Sequence, residues 1–196
     1  TMPVVAIRME DPVAQSKIFV DINENQKQIP PELKWDLYEE LYANSTKETE
    51  IQKYMISRIG KHLCKSFKNG PFENQIKVPM FGGGGHIGLH QICEMINKAG
   101  FVKTNGNFRR GTVEDTIKFA ADRIDQFYSC LANYLPEEWR KKDKYFLNHN
   151  AGIKVLTNLL RDLTDGAIVT KDELENDKKF RKEISKYLSP LINHFK

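Results

Sequence analysis

Six apolar residues, Val113, Ile117, Ala120, Ile124, Phe127 and Leu131, recur at spacings of 4, 3, 4, 3 and 4. That run stays on one face of an α-helix and cannot alternate across a strand. It predicts a helix from the cap Thr112 to about residue 134, with a spacing close to the coiled-coil repeat. A second row, Ile51, Met55, Ile59, Leu63 and Phe67, is spaced by four. Ser45 and Glu48 read as its capping box, and Asn69-Gly70-Pro71 as its stop. Two such helices need a shared core, so the chain is expected to bury helix against helix.

The remaining segments fit around these two. Pro3–Met9 reads as a short buried strand, because Val4, Val5 and Ile7 favour extended backbone. Asp11-Pro12 opens a helix towards residue 22, which the polar run 23–27 ends. Pro30-Pro31 starts a helix over 31–43, with Leu33, Leu37 and Leu41 in register and Trp35 and Tyr38 beside them. Residues 75–79 could form a strand, and Gly82–Gly85 lead into a helix over 87–98 closed by Gly100. After the long helix come a short one containing Trp139 and an apolar one over 149–164. The last, capped by Thr170 and Glu173, spans about 171–188 and pauses at Pro190. The fold class is therefore mainly α: a multi-helical bundle of seven to eight helices, with one or two short strands at the N-terminus and around 75–79. Residues 1–43 and 44–196 are expected to form separate units, with a weaker boundary near 100–111 where charge and Gly/Asn content change.

Bulk properties exclude several classes. Hydrophobic residues at 40% suffice for a globular core, while no apolar run reaches the roughly 20 residues that span a bilayer. The N-terminus lacks the basic start and apolar stretch of a signal peptide. It begins abruptly in a strand, so the chain reads as a fragment. Cys64, Cys93 and Cys130 are odd in number and lack metal-motif spacing, which points to a reducing cytoplasm with no membrane, no metal and no cofactor. The net charge of +4 lies wholly in residues 101–196, a mild basic bias that permits nucleic-acid contact without demanding it.

Three segments are candidate sites. Asn23, Asn25, Gln26 and Lys27 can donate hydrogen bonds from one turn and could edge a nucleotide or nucleic-acid site; the same residues also read as a solvated helix C-cap. Gly82–Gly85 could cradle phosphate at a helix N-terminus, but no P-loop or dinucleotide fingerprint surrounds them, and a hinge is the simpler reading. His86 and His90 lie four apart without an evident third ligand. Arg109 and Arg110 beside Phe108, and Lys141, Lys142 and Lys144 in the next basic run, are phosphate-contact candidates, against an ordinary surface loop and a solvated face. G-x-S-x-G, H-E-x-x-H and a convincing Cys–His pair are all absent, so no catalytic residue is assigned.

The run Lys17-Ile18-Phe19-Val20-Asp21-Ile22-Asn23-Glu24-Asn25-Gln26-Lys27, followed by Ile29-Pro30-Pro31-Glu32-Leu33 and Trp35-Asp36-Leu37, resembles the DGQHR-domain family. That family includes DndB-type proteins associated with DNA sulfur modification, with a ParB-nuclease-like N-terminal fold. Gly152-Ile153-Lys154-Val155-Leu156 with Leu159-Leu160 is similar to its helical C-terminal part. The resemblance covers residues 3–37 and about 86–163. The D-G-Q-H-R motif itself is not in this chain and should lie upstream of Pro3. The resemblance implies that residues 1–43 are the end of a truncated domain, that Asn23, Gln26 and Lys27 complete one wall of its site, and that the upstream part of the same polypeptide is a partner.

Three functions follow as expectations. The first is a DNA-associated, non-catalytic module involved in DNA modification, its regulation or phage defence. The second is part of a split nucleotidase or nuclease, inactive as this fragment. The third is a helical scaffold whose Val113–Leu131 stripe packs within the chain or against another copy in a homo-oligomer.

Overall fold

A computed structural model describes residues 11–26, 30–65, 70–73, 75–78, 85–141 and 146–195, with side chains at all of these except 21–26, 65 and 195. The fold is mainly helical. Among the described residues the order is α1 (Pro12–Gln26), α2 (Pro31–Leu41), α3 (Glu48–Lys65), β1 (Ile76–Lys77), β2 (Ile87–Gly88), α4 (Leu89–Ala99), α5 (Val113–Tyr134), α6 (Pro136–Arg140), α7 (Asn150–Asp165), α8 (Lys171–Glu175) and α9 (Asp177–Phe195). The expected N-terminal strand lies outside the described residues, whereas the one at 75–79 is present as β1. It pairs in parallel with β2 through Ile76↔Ile87 and Lys77↔Gly88.

Helix α3 is central because its apolar row faces three neighbours at once. Met55, Ile59 and Leu63 are fully buried, and α3 packs against α2, α4 and α5. The α5 stripe is covered within the chain: Ile117, Ala120, Ile124, Phe127 and Leu131 are all buried. A second face of α5, with Ala121, Arg123, Asp125 and Tyr128, is buried as well, since α9 lies against α5. Helix α7 packs on α4, and α6 folds back on α5. One apolar core runs from Trp35 to Ile192, and it includes Leu41, Phe101 and Phe108, on either side of the expected unit boundaries. Trp35 and Trp139 are both buried in it, as their size favours.

Several helix ends differ from the sequence reading. Asp11 does cap α1, its carboxylate accepting from Val13 N at 2.9 Å. The helix then continues through Asn23, Asn25 and Gln26, because neither Gly nor Pro interrupts it before Pro30. Ser45 does not pair with Glu48; its hydroxyl donates to Glu50 at 2.6 Å and accepts from Lys47 N. The expected single C-terminal helix is two. Asn176 is extended and its side-chain oxygen accepts from Lys178 N and Lys179 N, which restarts the helix as α9. Pro190 sits inside α9 without ending it, since Phe180, Ile184, Leu188 and Ile192 form one buried row across it.

Candidate functional site

The predicted site residues do not come together among the described residues. Asn23, Asn25 and Gln26 occupy the last turn of α1 instead of a turn beyond it, and their side chains, like Lys27, lie outside the described residues. Lys142 and Lys144 also lie outside them. Lys141 follows α6 and forms an exposed ion pair with Glu137 one turn earlier, a type of pair that holds its cation weakly.

Arg109 and Arg110 are taken up by the chain itself. Arg109 donates to Val102 O at 3.2 Å and pairs with Glu48 at 3.4 Å. Arg110 donates to the carbonyls of Asn107 and Arg109 at 2.9 and 2.7 Å and pairs with Glu175 at 2.7 Å. Its guanidinium lies 3.4 Å over the Phe119 ring, and Arg123 approaches the same ring at 4.6 Å. Burial lowers the pKa of Arg110, partly offset by Glu175, with Arg123 adding to the fall. The loop thus ties α8 to α5. A phosphate there would have to displace Glu48 or Glu175.

A cleft elsewhere has a cation without a partner among the described residues at its mouth. It is a half-open cleft of about 190 Å³ where the end of α5, the short α6 and two turns meet. Ser129 and Asn133, one helical turn apart on α5, form one side. Pro136 at the first position of α6 turns the chain back, and α6 supplies Trp139 and Arg140. Trp139 Nε1 donates to Pro71 O at 3.1 Å, and Gly70, Pro71 and Gln75 line the opposite wall.

Asn148 is the floor and is only 2% exposed. Its amide nitrogen donates to Trp139 O at 3.1 Å, and its backbone oxygen lies 3.0 Å from His86 Nε2. The bond to Trp139 O sets which way the amide points, and Oδ1 is left buried with no hydrogen-bond partner. Ser129 Oγ donates to Asp125 at 3.3 Å, so its lone pairs remain for the cleft. Asp125 is pushed up to about 6, chiefly by burial; the Ser129 hydrogen bond and Arg181 pull it down, and Asp122 adds to the rise. At the mouth, Arg140 and Asn133 are exposed, and no described group pairs with the Arg140 guanidinium.

The other sequence candidates resolve simply. Gly82–Gly84 lie outside the described residues, while Gly85 passes so close to the Gln75 backbone that no Cβ fits. His86 is engaged with Asn148, and His90 Nδ1 faces Glu32 at 2.8 Å. No group of three metal-ligating side chains occurs among the described residues.

No protein-family model, curated protein or solved structure matches the chain. The cleft must therefore be judged by its chemistry. It offers the Ser129 hydroxyl on its α5 side, the Asn133 carboxamide and the Arg140 cation, unpaired among the described residues, at its rim, and Pro136 on its flank. That set suits a small polar ligand that carries negative charge. Sequence reasoning missed Ser129, Asn133 and Asn148, because they lie in segments that only tertiary packing joins. Arg140 belonged to a basic run that was visible, but its lack of a partner was not.

Proposed function

We propose that the chain is a DNA-associated, non-catalytic module of the DGQHR/DndB-like kind, acting in DNA modification, its regulation or phage defence from the cytoplasm. The observation that carries this reading is the Arg140 guanidinium, unpaired among the described residues and exposed at the mouth of a polar cleft, while Arg109 and Arg110 are held by carboxylates. Arg140 and the adjoining Lys141 supply the phosphate contacts, and the basic second half of the chain raises the local concentration of DNA. Free thiols at Cys64, Cys93 and Cys130 suit a reducing compartment. Among the described residues no helix is long and apolar enough to cross a membrane.

Fluorescence anisotropy with duplex and single-stranded DNA over a salt series tests the proposal. Affinity should fall linearly on a log–log plot, and Arg140→Ala should reduce the slope by about 1. Absence of binding at low salt, where phosphate-driven affinity is greatest, would refute it.

A further inference from the structure

We propose that the groove between α4 and α7 binds a small organic monoanion, an apolar body carrying one carboxylate, with the carboxylate at Lys154 and the body against Met95. The inference is independent of the DNA reading and uses nothing of the α6 cleft. Three observations lead to it.

The first is access. The groove is half-open and measures about 250 Å³. Met95 and Lys98, three apart on α4, are neighbours on one helix face, and Lys154 and Asn158, four apart on α7, are neighbours on the facing one. Lys98 and Lys154 are exposed, while Met95 and Asn158 are half-buried, so each keeps surface that a ligand can reach.

The second is charge. Lys98 lies 3.8 Å from Glu94 one turn earlier, and His90 at the head of the groove faces Glu32 at 2.8 Å. Lys154 has no partner among the described residues, and neither has the Asn158 carboxamide one turn away. With Glu94 set against Lys98, the lysines leave one positive charge over, beside one amide. That pair matches a single carboxylate, which accepts from both. A dianion would bring a second charge that only Lys98 could meet, at the expense of Glu94. A cationic ligand would meet Lys154 with nothing to offset it.

The third is the floor. Met95 packs against the core on one side and lines the groove on the other. Its unbranched, polarizable thioether adapts to an apolar body of irregular outline. The groove far exceeds the roughly 30 Å³ share of one water molecule, and it falls short of the roughly 300 Å³ at which pockets for drug-sized ligands begin. The body is therefore a single ring or a short chain.

Methyl NMR on the full chain tests the proposal, read at the Met95 ε-methyl signal and assigned by its loss in Met95→Leu. The probes are phenylacetate, its uncharged isostere phenylacetamide, and acetate and inorganic phosphate as anions without an apolar body. Phenylacetate should shift the signal with a Kd of about 1 mM, as its size allows. Phenylacetamide should bind about fivefold more weakly, the share of one exposed ion pair. Acetate and phosphate should leave the signal in place at about 20 mM, since neither covers Met95. Lys154→Gln, at an exposed position outside the core, should bring phenylacetate to the affinity of phenylacetamide and leave that of phenylacetamide unchanged. No shift with phenylacetate at about 20 mM, far above the expected Kd, would overturn the site. Equal affinity for phenylacetate and phenylacetamide would overturn the carboxylate at Lys154. An equal shift by acetate or phosphate would overturn the apolar body.

Discussion

Replacing Asp125 with Asn should favour the folded protein more at neutral pH than in acid. Asp125 is 8% exposed on the face of α5 that meets α9. One carboxylate oxygen accepts from Ser129, and the other has no hydrogen-bond partner. Burial is the main reason its pKa rises from 3.8 to about 6. In the unfolded chain the same carboxyl titrates near 3.9. Between about pH 4 and pH 6 the folded protein therefore still holds a proton that the unfolded chain has released. Stability must fall as pH rises through that window, and the loss is complete above pH 6. Two pKa units at about 1.4 kcal/mol each set the cost at about 3 kcal/mol. Asp122, also raised mainly by burial, acts in the same direction.

The Asp125→Asn substitution keeps the shape of the side chain and removes its charge. The amide brings a new N–H group that needs an acceptor, and lacking one costs about 1–3 kcal/mol at every pH. The informative quantity is therefore the change in stability difference between pH 4 and pH 7.5. Urea unfolding of both proteins at the two pH values, with equal m-values, measures it. The variant should gain about 2–3 kcal/mol on the parent between the two conditions. A stability difference that stays constant within about 0.5 kcal/mol would show that Asp125 ionises without penalty, and the reasoning from burial would fail.

Two further substitutions test the packing. Arg123→Met should cost about 1–3 kcal/mol, because this 3%-exposed guanidinium donates to Leu174 O, Asp177 and Glu175 O at the α8–α9 junction. Limited proteolysis should then open first near 171–177, and a loss below about 1 kcal/mol in urea would contradict the clamp. Gly152→Ala should destabilise by at least about 2 kcal/mol, since a Cβ there would overlap the backbone oxygen of Phe146 and lie 2.7 Å from that of Leu147. Gly111→Ala, with nothing within 4 Å of the added carbon, is its control and should change stability by no more than about 0.5 kcal/mol in the same titration.

Helices with a strong apolar period were legible in the sequence because periodicity is local. Met55, Ile59 and Leu63 on α3 and Ile153, Leu156, Leu160 and Leu163 on α7 are buried as their spacing requires. What escaped depended on groups distant in the chain. Pro190 looks like a stop, but it removes one backbone donor while Leu188 and Ile192 stay buried against the core, and the apolar row prevails over the local breaker. Asn176 looked like any residue of a polar helix, yet it ends one helix and caps the next. The cleft was illegible for a related reason. Gln75, Ser129, Arg140 and Asn148 share no spacing, and Trp139 joins them only by bonding Pro71 on one side and accepting from Asn148 on the other.

The same distance problem decides which cations are left without a partner. Phe108-Arg109-Arg110 has the composition of a phosphate-binding loop, and nothing within the loop says otherwise. The fold decides by bringing Glu48 from α3 and Glu175 from α8 onto those guanidiniums, and by laying Arg110 on Phe119. A cation paired in that way must be freed before it contacts phosphate, so its contribution to binding is reduced by the pairing it loses. Arg140 has no such pairing to lose among the described residues. Among the described residues the unpaired cation therefore lies at α6 and not at the start of α5, although the loop before α5 carries the more persuasive sequence.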